Sequence, residues 1–283
     1  MANFLCTLML GLEVCSLAVT ADDTVSLKYQ LKPGQVLRYD TRQSLSVTST
    51  ITGASQEFRS ETRALRVWKV LAVNEKGNAR LAMSIERVRV EATRGGEKKI
   101  SYDSEIPDQK GPLGDIVGRP LLEVTISPFG QVIEVGEPLV PEAGQFVANV
   151  RLLIYPVPPQ PIVAGTGWQT DLELPVPTLG TNEKVRLRQT YRLEKLSDPV
   201  AAINLVTSFA EEIKDKARLT ALMQFLPAGK IEFDISRGVV RSVDLKLDQK
   251  VTEFAGSDSV MQVTGSYGEV LREEIAGVPR EGQ

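Results

Sequence analysis

The stretch Ala64-Leu65-Arg66-Val67-Trp68-Lys69-Val70-Leu71-Ala72-Val73-Asn74-Glu75-Lys76-Gly77-Asn78-Ala79-Arg80-Leu81-Ala82-Met83-Ser84-Ile85 decides the fold. Ala64, Val67 and Val70 recur at three-residue spacing, as in a helix. The β-branched and aromatic residues Val67, Trp68, Val70 and Val73 instead favour a strand. Asn74-Glu75-Lys76-Gly77 is a turn, so a return strand follows through Ala79, Leu81, Met83 and Ile85. Val88 and Val90 continue it with changed parity, which predicts a bulge between Ile85 and Val88.

Working outward, the same alternation recurs. Val25, Leu27, Tyr29 and Leu31 lie two apart, and Lys32-Pro33-Gly34-Gln35 turns the chain. A Ser/Thr-rich strand follows, with Ser44, Ser46, Thr48 and Thr50 alternating with Leu45, Val47 and Ile51. Lys98 to Tyr102 is a short strand. From Asp103 to Pro120 glycine and proline break the pattern, leaving room for a short helix at Leu113 to Val117. Leu122 to Ile126 and Val132 to Val135 flank the turn Ser127-Pro128-Phe129-Gly130.

The clearest helix runs from Glu142 to Ile154, with Ala143, Phe146, Val147, Val150, Leu153 and Ile154 on one face. Tyr155-Pro156-Val157-Pro158-Pro159-Gln160-Pro161 ends it in an extended link. Further strands are read at Trp168 to Val176, Val185 to Leu193, Val200 to Phe209, Leu219 to Leu226, Ile231 to Ile235, Val239 to Leu247 and Val251 to Val263. Within Val200 to Phe209 the spacing of Val200, Ile203, Val206 and Phe209 also fits a helix, while Ile203, Leu205 and Thr207 fit a strand, and the neighbouring strands decide for strand. Gly180-Thr181-Asn182 marks a turn, and the tail from Glu273 is polar. The fold class is therefore mainly β: antiparallel sheets or half-barrels with one central helix.

Leu122-Glu123-Val124-Thr125-Ile126-Ser127-Pro128-Phe129-Gly130 and Ile231-Glu232-Phe233-Asp234-Ile235-Ser236-Arg237-Gly238 share a strand, a Ser-containing turn and a glycine. Two readings stand: a duplicated β unit, or a chance likeness between hairpins. The organisation read from the chain is a leader at 1–21, a β-rich unit at 22–137, a helix and Pro-rich connector at 138–161, and a second β-rich unit at 162–283.

The leader is apolar from Phe4 to Val19, with one charge at Glu13. It is too short for a membrane span and ends at Val19-Thr20-Ala21. That is the pattern of a secretory signal peptide, although no Lys or Arg precedes the apolar run. The expected location is therefore exported, periplasmic or secreted, with no membrane-spanning segment after cleavage. Both cysteines, Cys6 and Cys15, lie in this segment. Leu12-Glu13-Val14-Cys15 has the leucine and cysteine of a lipidation site, but Glu13 and Val14 stand where small residues belong. Cleavage at Ala21 leaves a chain without cysteine, held together by burial alone.

The 283 residues contain no histidine, carry 42% hydrophobic and 24% charged residues, and have a formal charge of −3. Without imidazole, Ser-His-Asp catalysis and the commonest zinc sites are excluded. Lys98-Lys99 and Arg186/Arg188 are short basic clusters flanked by acids, so nucleic acid is not an expected partner. No cofactor or metal set is indicated. Asp103-Ser104-Glu105, with Asp108 and Asp115, is the densest carboxylate group on an irregular loop. Asp103 and Glu105 are the candidates for a carboxylate-dependent enzyme, against a solvated loop. Trp68 and Trp168 are the candidates for an apolar ligand site, against ordinary core packing.

With Leu31-Lys32-Pro33-Gly34 followed by Tyr39, the step Tyr102-Asp103-Ser104 and the turn Ile126-Ser127-Pro128-Phe129-Gly130, the chain resembles a family of uncharacterised exported bacterial proteins of planctomycete type. That resemblance implies no activity. The architecture is also loosely similar to periplasmic lipoprotein carriers, in which a curved antiparallel sheet closes over an apolar cavity. The expected function is non-enzymatic binding of an apolar ligand, such as a lipid, or of another envelope protein. A carboxylate-dependent enzyme and a purely structural envelope protein are the alternatives.

Overall fold

A computed structural model describes residues 24–109, 111, 113–176 and 183–273. The leader with both cysteines, the Gly180-Thr181-Asn182 turn and the tail beyond Glu273 lie outside the described residues. The first half builds β1 (Val36–Ile51), β2 (Ala54–Val73), β3 (Ala79–Arg94), β4 (Glu97–Asp103), β5 (Pro120–Ile126) and β6 (Val132–Val135). The second half builds β7 (Gly167–Pro175), β8 (Lys184–Ser197), β9 (Val200–Phe209), β10 (Ala228–Asp234), β11 (Val239–Thr252) and β12 (Val260–Leu271). Between the halves lies α1 (Gly144–Asn149), and α2 (Lys216–Leu222) precedes β10.

The antiparallel reading holds, in one continuous 12-stranded sheet of order β6-β5-β3-β2-β1-β12-β11-β10-β9-β8-β7, with β4 beside β3. The chain runs outward from β1 to the β6 edge, crosses to the β7 edge, and returns strand by strand until β12 pairs with β1. The stretches 22–137 and 162–283 thus supply two halves of one sheet in place of separate sheets. Their junction is long, with Tyr39 opposite Leu271 and Thr50 opposite Val260.

The deciding hairpin forms as read. Trp68 faces Met83 across β2 and β3, and the ladder slips between Leu65 and Arg66, leaving Glu86 as the extra residue of the expected bulge. This slip restores Val88 to the buried face after Ile85. Both turns of the suspected repeat are hairpin turns, β5 to β6 and β10 to β11.

Several elements differ from the sequence reading. Val25 to Leu31 is extended but joins no ladder. Its backbone is shared among three places: Val25 N–H donates to Ile162 O, Tyr29 N–H to Pro128 O and Gln30 N–H to Gly238 O. Leu27 is nonetheless fully buried. Leu113 to Val117 forms turns because Gly114 and Gly118 interrupt it, and Val117 makes a parallel bridge to Ile85. The helix read at Glu142 to Ile154 is broken into a 3-10 turn (Pro141–Ala143), α1 and a second 3-10 turn (Val150–Leu153). Gly144 and Asn149, both weak helix formers, stand at its joints.

Leu219 to Leu226 is not a strand. Asp215 caps α2 by accepting from the Ala217 and Arg218 N–H groups, and a 3-10 turn (Met223–Phe225) follows. Among the described residues there are therefore two short α-helices, α1 and α2, where one central helix was expected. The single strand read at Val251 to Val263 is two strand ends separated by a turn. Glu253 (φ 58°) and Gly256 (φ 108°) reverse the chain there, and β12 continues to Leu271.

The sheet curls so far that α1 packs against both β5 and β7. The connector thus fills the mouth of a half-barrel. Val140, Ala143, Val150 and Ile154 pack into the cluster formed by β1, β2, β3 and β5. Tyr155, Val157 and Ile162 pack with Leu27 against β8 to β11. On the other side of the concave face, Leu222 meets β7 and β8, while Met223 meets β11 and β12.

Candidate functional site

Two features occupy the concave side. The first is a buried polar cluster. Alternation on β2 turns Arg66 to the same side as Trp68, and alternation on β12 does the same for Tyr267 and Glu269. Arg66 Nη2 donates to Glu269 Oε2, Nη1 donates to Tyr267 Oη at 2.9 Å, and the Tyr267 hydroxyl donates to the same carboxylate oxygen. The Arg66 and Glu269 side chains are 7% and 3% exposed, so the pair is shielded from bulk solvent. The Arg66 guanidinium also lies 5.7 Å from the Tyr39 ring centre and 5.9 Å from that of Trp68.

Burial opposes the Arg66 charge, but the Glu269 carboxylate and Tyr267 more than offset it, so Arg66 stays more firmly protonated than usual. Burial first, and then the Glu269 charge, raise the Tyr39 and Tyr155 hydroxyls far above their ordinary values. Among the described residues, Arg66 Nε and Tyr155 Oη have no hydrogen-bond partner. Beside the cluster, Tyr29, Leu37, Tyr39, Trp68, Val240 and Glu269 border a cavity of about 40 Å³. That is room for water and too small for a lipid.

The second feature is a groove of about 480 Å³ at the seam between the two sheet edges. The β5–β6 turn and β6 supply Gly130, Gln131 and Val132. The connector supplies Arg151, Ile154 and Pro156. β7 supplies Thr170 to Glu173 and Pro175, and β8 supplies Lys184. Ile154, Pro156 and Leu172 are buried, whereas Asp171 and Glu173 are exposed, so an apolar floor has a charged rim. Ile154 borders both the groove and the inner cavity and so forms part of the wall between them.

Asp171 accepts from Arg188 Nε at 2.8 Å and from Arg188 Nη2 at 3.0 Å, and Arg186 stands 3.5 Å away. The Arg188 hydrogen bonds hold its carboxyl below the usual range. Glu173 faces Lys184 at 3.5 Å. Among the described residues Arg151 makes no ion pair. It is half-buried, on the 3-10 turn that leads into the connector.

The structure places Trp68, Trp168 and the Asp103–Glu105 pair at three separate positions. Trp68 is buried against the small cavity. Trp168 stacks on Tyr191 with ring centres 5.4 Å apart and donates from Nε1 to Pro156 O, which ties β7 to the connector beside the groove. Asp103 ends β4 and Glu105 lies just beyond it. Glu105 pairs with Arg87 at 2.9 Å, and Asp103 stands 4.0 Å from Arg89 and accepts from the Glu105 N–H. Neither carboxylate borders the groove or the cavity.

Sequence reasoning missed Arg66, Glu269 and the groove residues. One signal was available for Arg66: it breaks the apolar run Leu65-Arg66-Val67-Trp68 at a position that shares a face with Trp68. No comparable signal marks Arg151, because the two sheet edges that frame it are distant in sequence.

No family model matches the chain, and no curated protein matches it. Among solved structures, lipovitellin, described for its lipid–protein interactions, aligns at TM-score 0.53 with 12% identity over 89% of this chain. The chain spans 27% of that protein's length. This likeness shows a shared antiparallel β fold. A protein of dynemicin biosynthesis from Micromonospora chersina (5% identity, 90% of this chain and 92% of the other) aligns at TM-score 0.22. A β-barrel-like protein with a domain of unknown function from Brucella abortus (10% identity, 86% and 100%) also aligns at 0.22. Among the described residues, no helix is long and apolar enough to cross a membrane.

Proposed function

We propose that this chain is an exported cell-envelope protein that binds an apolar or amphipathic small molecule without chemically changing it. The observation that carries the reading is the groove of about 480 Å³ between the sheet edges. Its volume falls within the range of about 300–1,000 Å³ typical of small-molecule sites. Its buried apolar floor and charged rim suit a ligand with an apolar body and a polar end. The fold-level likeness to lipovitellin agrees with a lipid as the ligand class. Export rests on the leader at 1–21, and the resemblance to exported bacterial proteins belongs to the same proposal.

The binding surface is the seam and not the interior, because the small inner cavity admits no acyl chain. The test is native mass spectrometry of the full chain purified from its own host, with displacement of the apolar dye N-phenyl-1-naphthylamine by oleate. A co-purifying lipid and saturable displacement are expected. A lipid-free protein with no displaceable dye would sink the proposal and leave a structural role in the envelope.

A further inference from the structure

We infer that the groove takes a single-chain amphiphile with an anionic head, and that Arg151 is the residue that receives the head. The inference rests on the groove being a binding site. It starts from a charge balance among the lining residues. Of the four charged groups, Asp171 is held by Arg188 and Arg186, and Glu173 is met by Lys184. Arg151 has no carboxylate partner among the described residues.

A guanidinium with no carboxylate partner among the described residues, at the edge of an apolar floor, is a site for a carboxylate or phosphate oxygen. Its planar fork offers parallel N–H donors to such oxygens. Ile154 and Pro156 lie three and five residues after Arg151 on the same connector, and Leu172 faces the same groove from β7. A chain anchored at Arg151 would therefore lie along apolar side chains. The volume is in the lower half of the small-molecule range, which suits one acyl chain and not two. A free fatty acid and a lysophospholipid share this chemistry.

Binding of oleate, lysophosphatidylglycerol and oleyl alcohol to the full chain, to Arg151→Gln and to Arg151→Lys tests the inference. The expected result is that Arg151→Gln weakens both anionic probes about tenfold or more, the scale of one lost charge-assisted hydrogen bond. Oleyl alcohol should bind all three proteins alike, which also shows that the variants are folded, and Arg151→Lys should retain most of the affinity. The tighter anionic probe identifies the source of the head. Equal binding of all probes to the parent chain and to Arg151→Gln overturns the head assignment and leaves the groove reading intact. Failure of every probe to bind the parent chain overturns both.

Discussion

Arg66 on β2 and Glu269 on β12 meet over β1, joining two strands that do not pair with each other. The contact lies where the outgoing and returning halves of the chain close on one another. A slip of one residue in either ladder would turn one of these side chains to the opposite face. The buried pair therefore accompanies a single register.

Removing one partner leaves the other charge buried without a counterion. Glu269→Ala should lower the unfolding free energy by about 3–5 kcal/mol, read from the urea midpoint. Replacing both partners, Arg66→Met with Glu269→Leu, should recover most of that loss, because it also removes the desolvation cost. If the double variant is no more stable than Glu269→Ala, the charge is not what the single substitution exposes.

Ile154 separates the inner cavity from the outer groove. Ile154→Ala should join them, at a cost of about 2–5 kcal/mol for a truncated buried aliphatic residue. The enlarged apolar space should raise the binding of N-phenyl-1-naphthylamine above that of the parent chain. Unchanged dye binding in a variant that is folded but less stable would show that the surroundings collapse into the gap.

Local pattern carried much of this fold. The β2–β3 hairpin and its bulge at Glu86 follow from alternation and turn residues, whereas Val200–Phe209 fits helix and strand spacing alike and is read as a strand from its neighbours. Failures occurred where a tertiary partner decides. Val25 to Leu31 alternates like a strand, yet no single neighbour offers it a ladder. Leu219 to Leu226 reads apolar enough for a strand, while the Asp215 cap commits it to helix. The site was hidden for the same reason. Trp68 and Trp168 stood out by residue type, whereas Arg151 matters through an edge strand more than fifteen residues away in sequence.

The two turns with matching sequence close on the same short segment. Gly130 (φ 73°) and Gly238 (φ 61°) adopt the left-handed conformation. A Cβ at Gly130 would lie 2.7 Å from the Tyr29 ring and 2.9 Å from Tyr155 O, and one at Gly238 would lie 2.5 Å from Gln30 N. Gly53 shares the left-handed conformation (φ 82°) but has open space around it. Gly53→Ala should cost only the conformational term of about 1–2 kcal/mol. Gly130→Ala and Gly238→Ala should cost clearly more and speed proteolysis of residues 24–32. Equal losses at all three positions would mean that the turns do not clamp the segment.

The pH limits of stability follow from which groups shift. The Arg272 hydrogen bonds to Asp40, and those of Arg188 to Asp171, hold both carboxyls below their ordinary values. The unfolded chain therefore binds more protons as pH falls through about 4, and stability drops there. Both pairs are well exposed, so that drop should be shallow. Burial raises Tyr29, Tyr39, Tyr155, Tyr191 and Tyr267. Their contribution is fully present below the unfolded tyrosine value of about 10 and is lost as pH rises above it, because only the unfolded chain ionises readily. The sequence has no histidine, so no side chain with an ordinary pKa titrates between about pH 5 and 8. Urea midpoints should form a plateau across that interval, decline gently in acid and fall steeply above about pH 10. Tyrosinate absorbance should rise together with loss of the circular-dichroism signal. Ionisation of these tyrosines ahead of unfolding would show that the concave face is open to water.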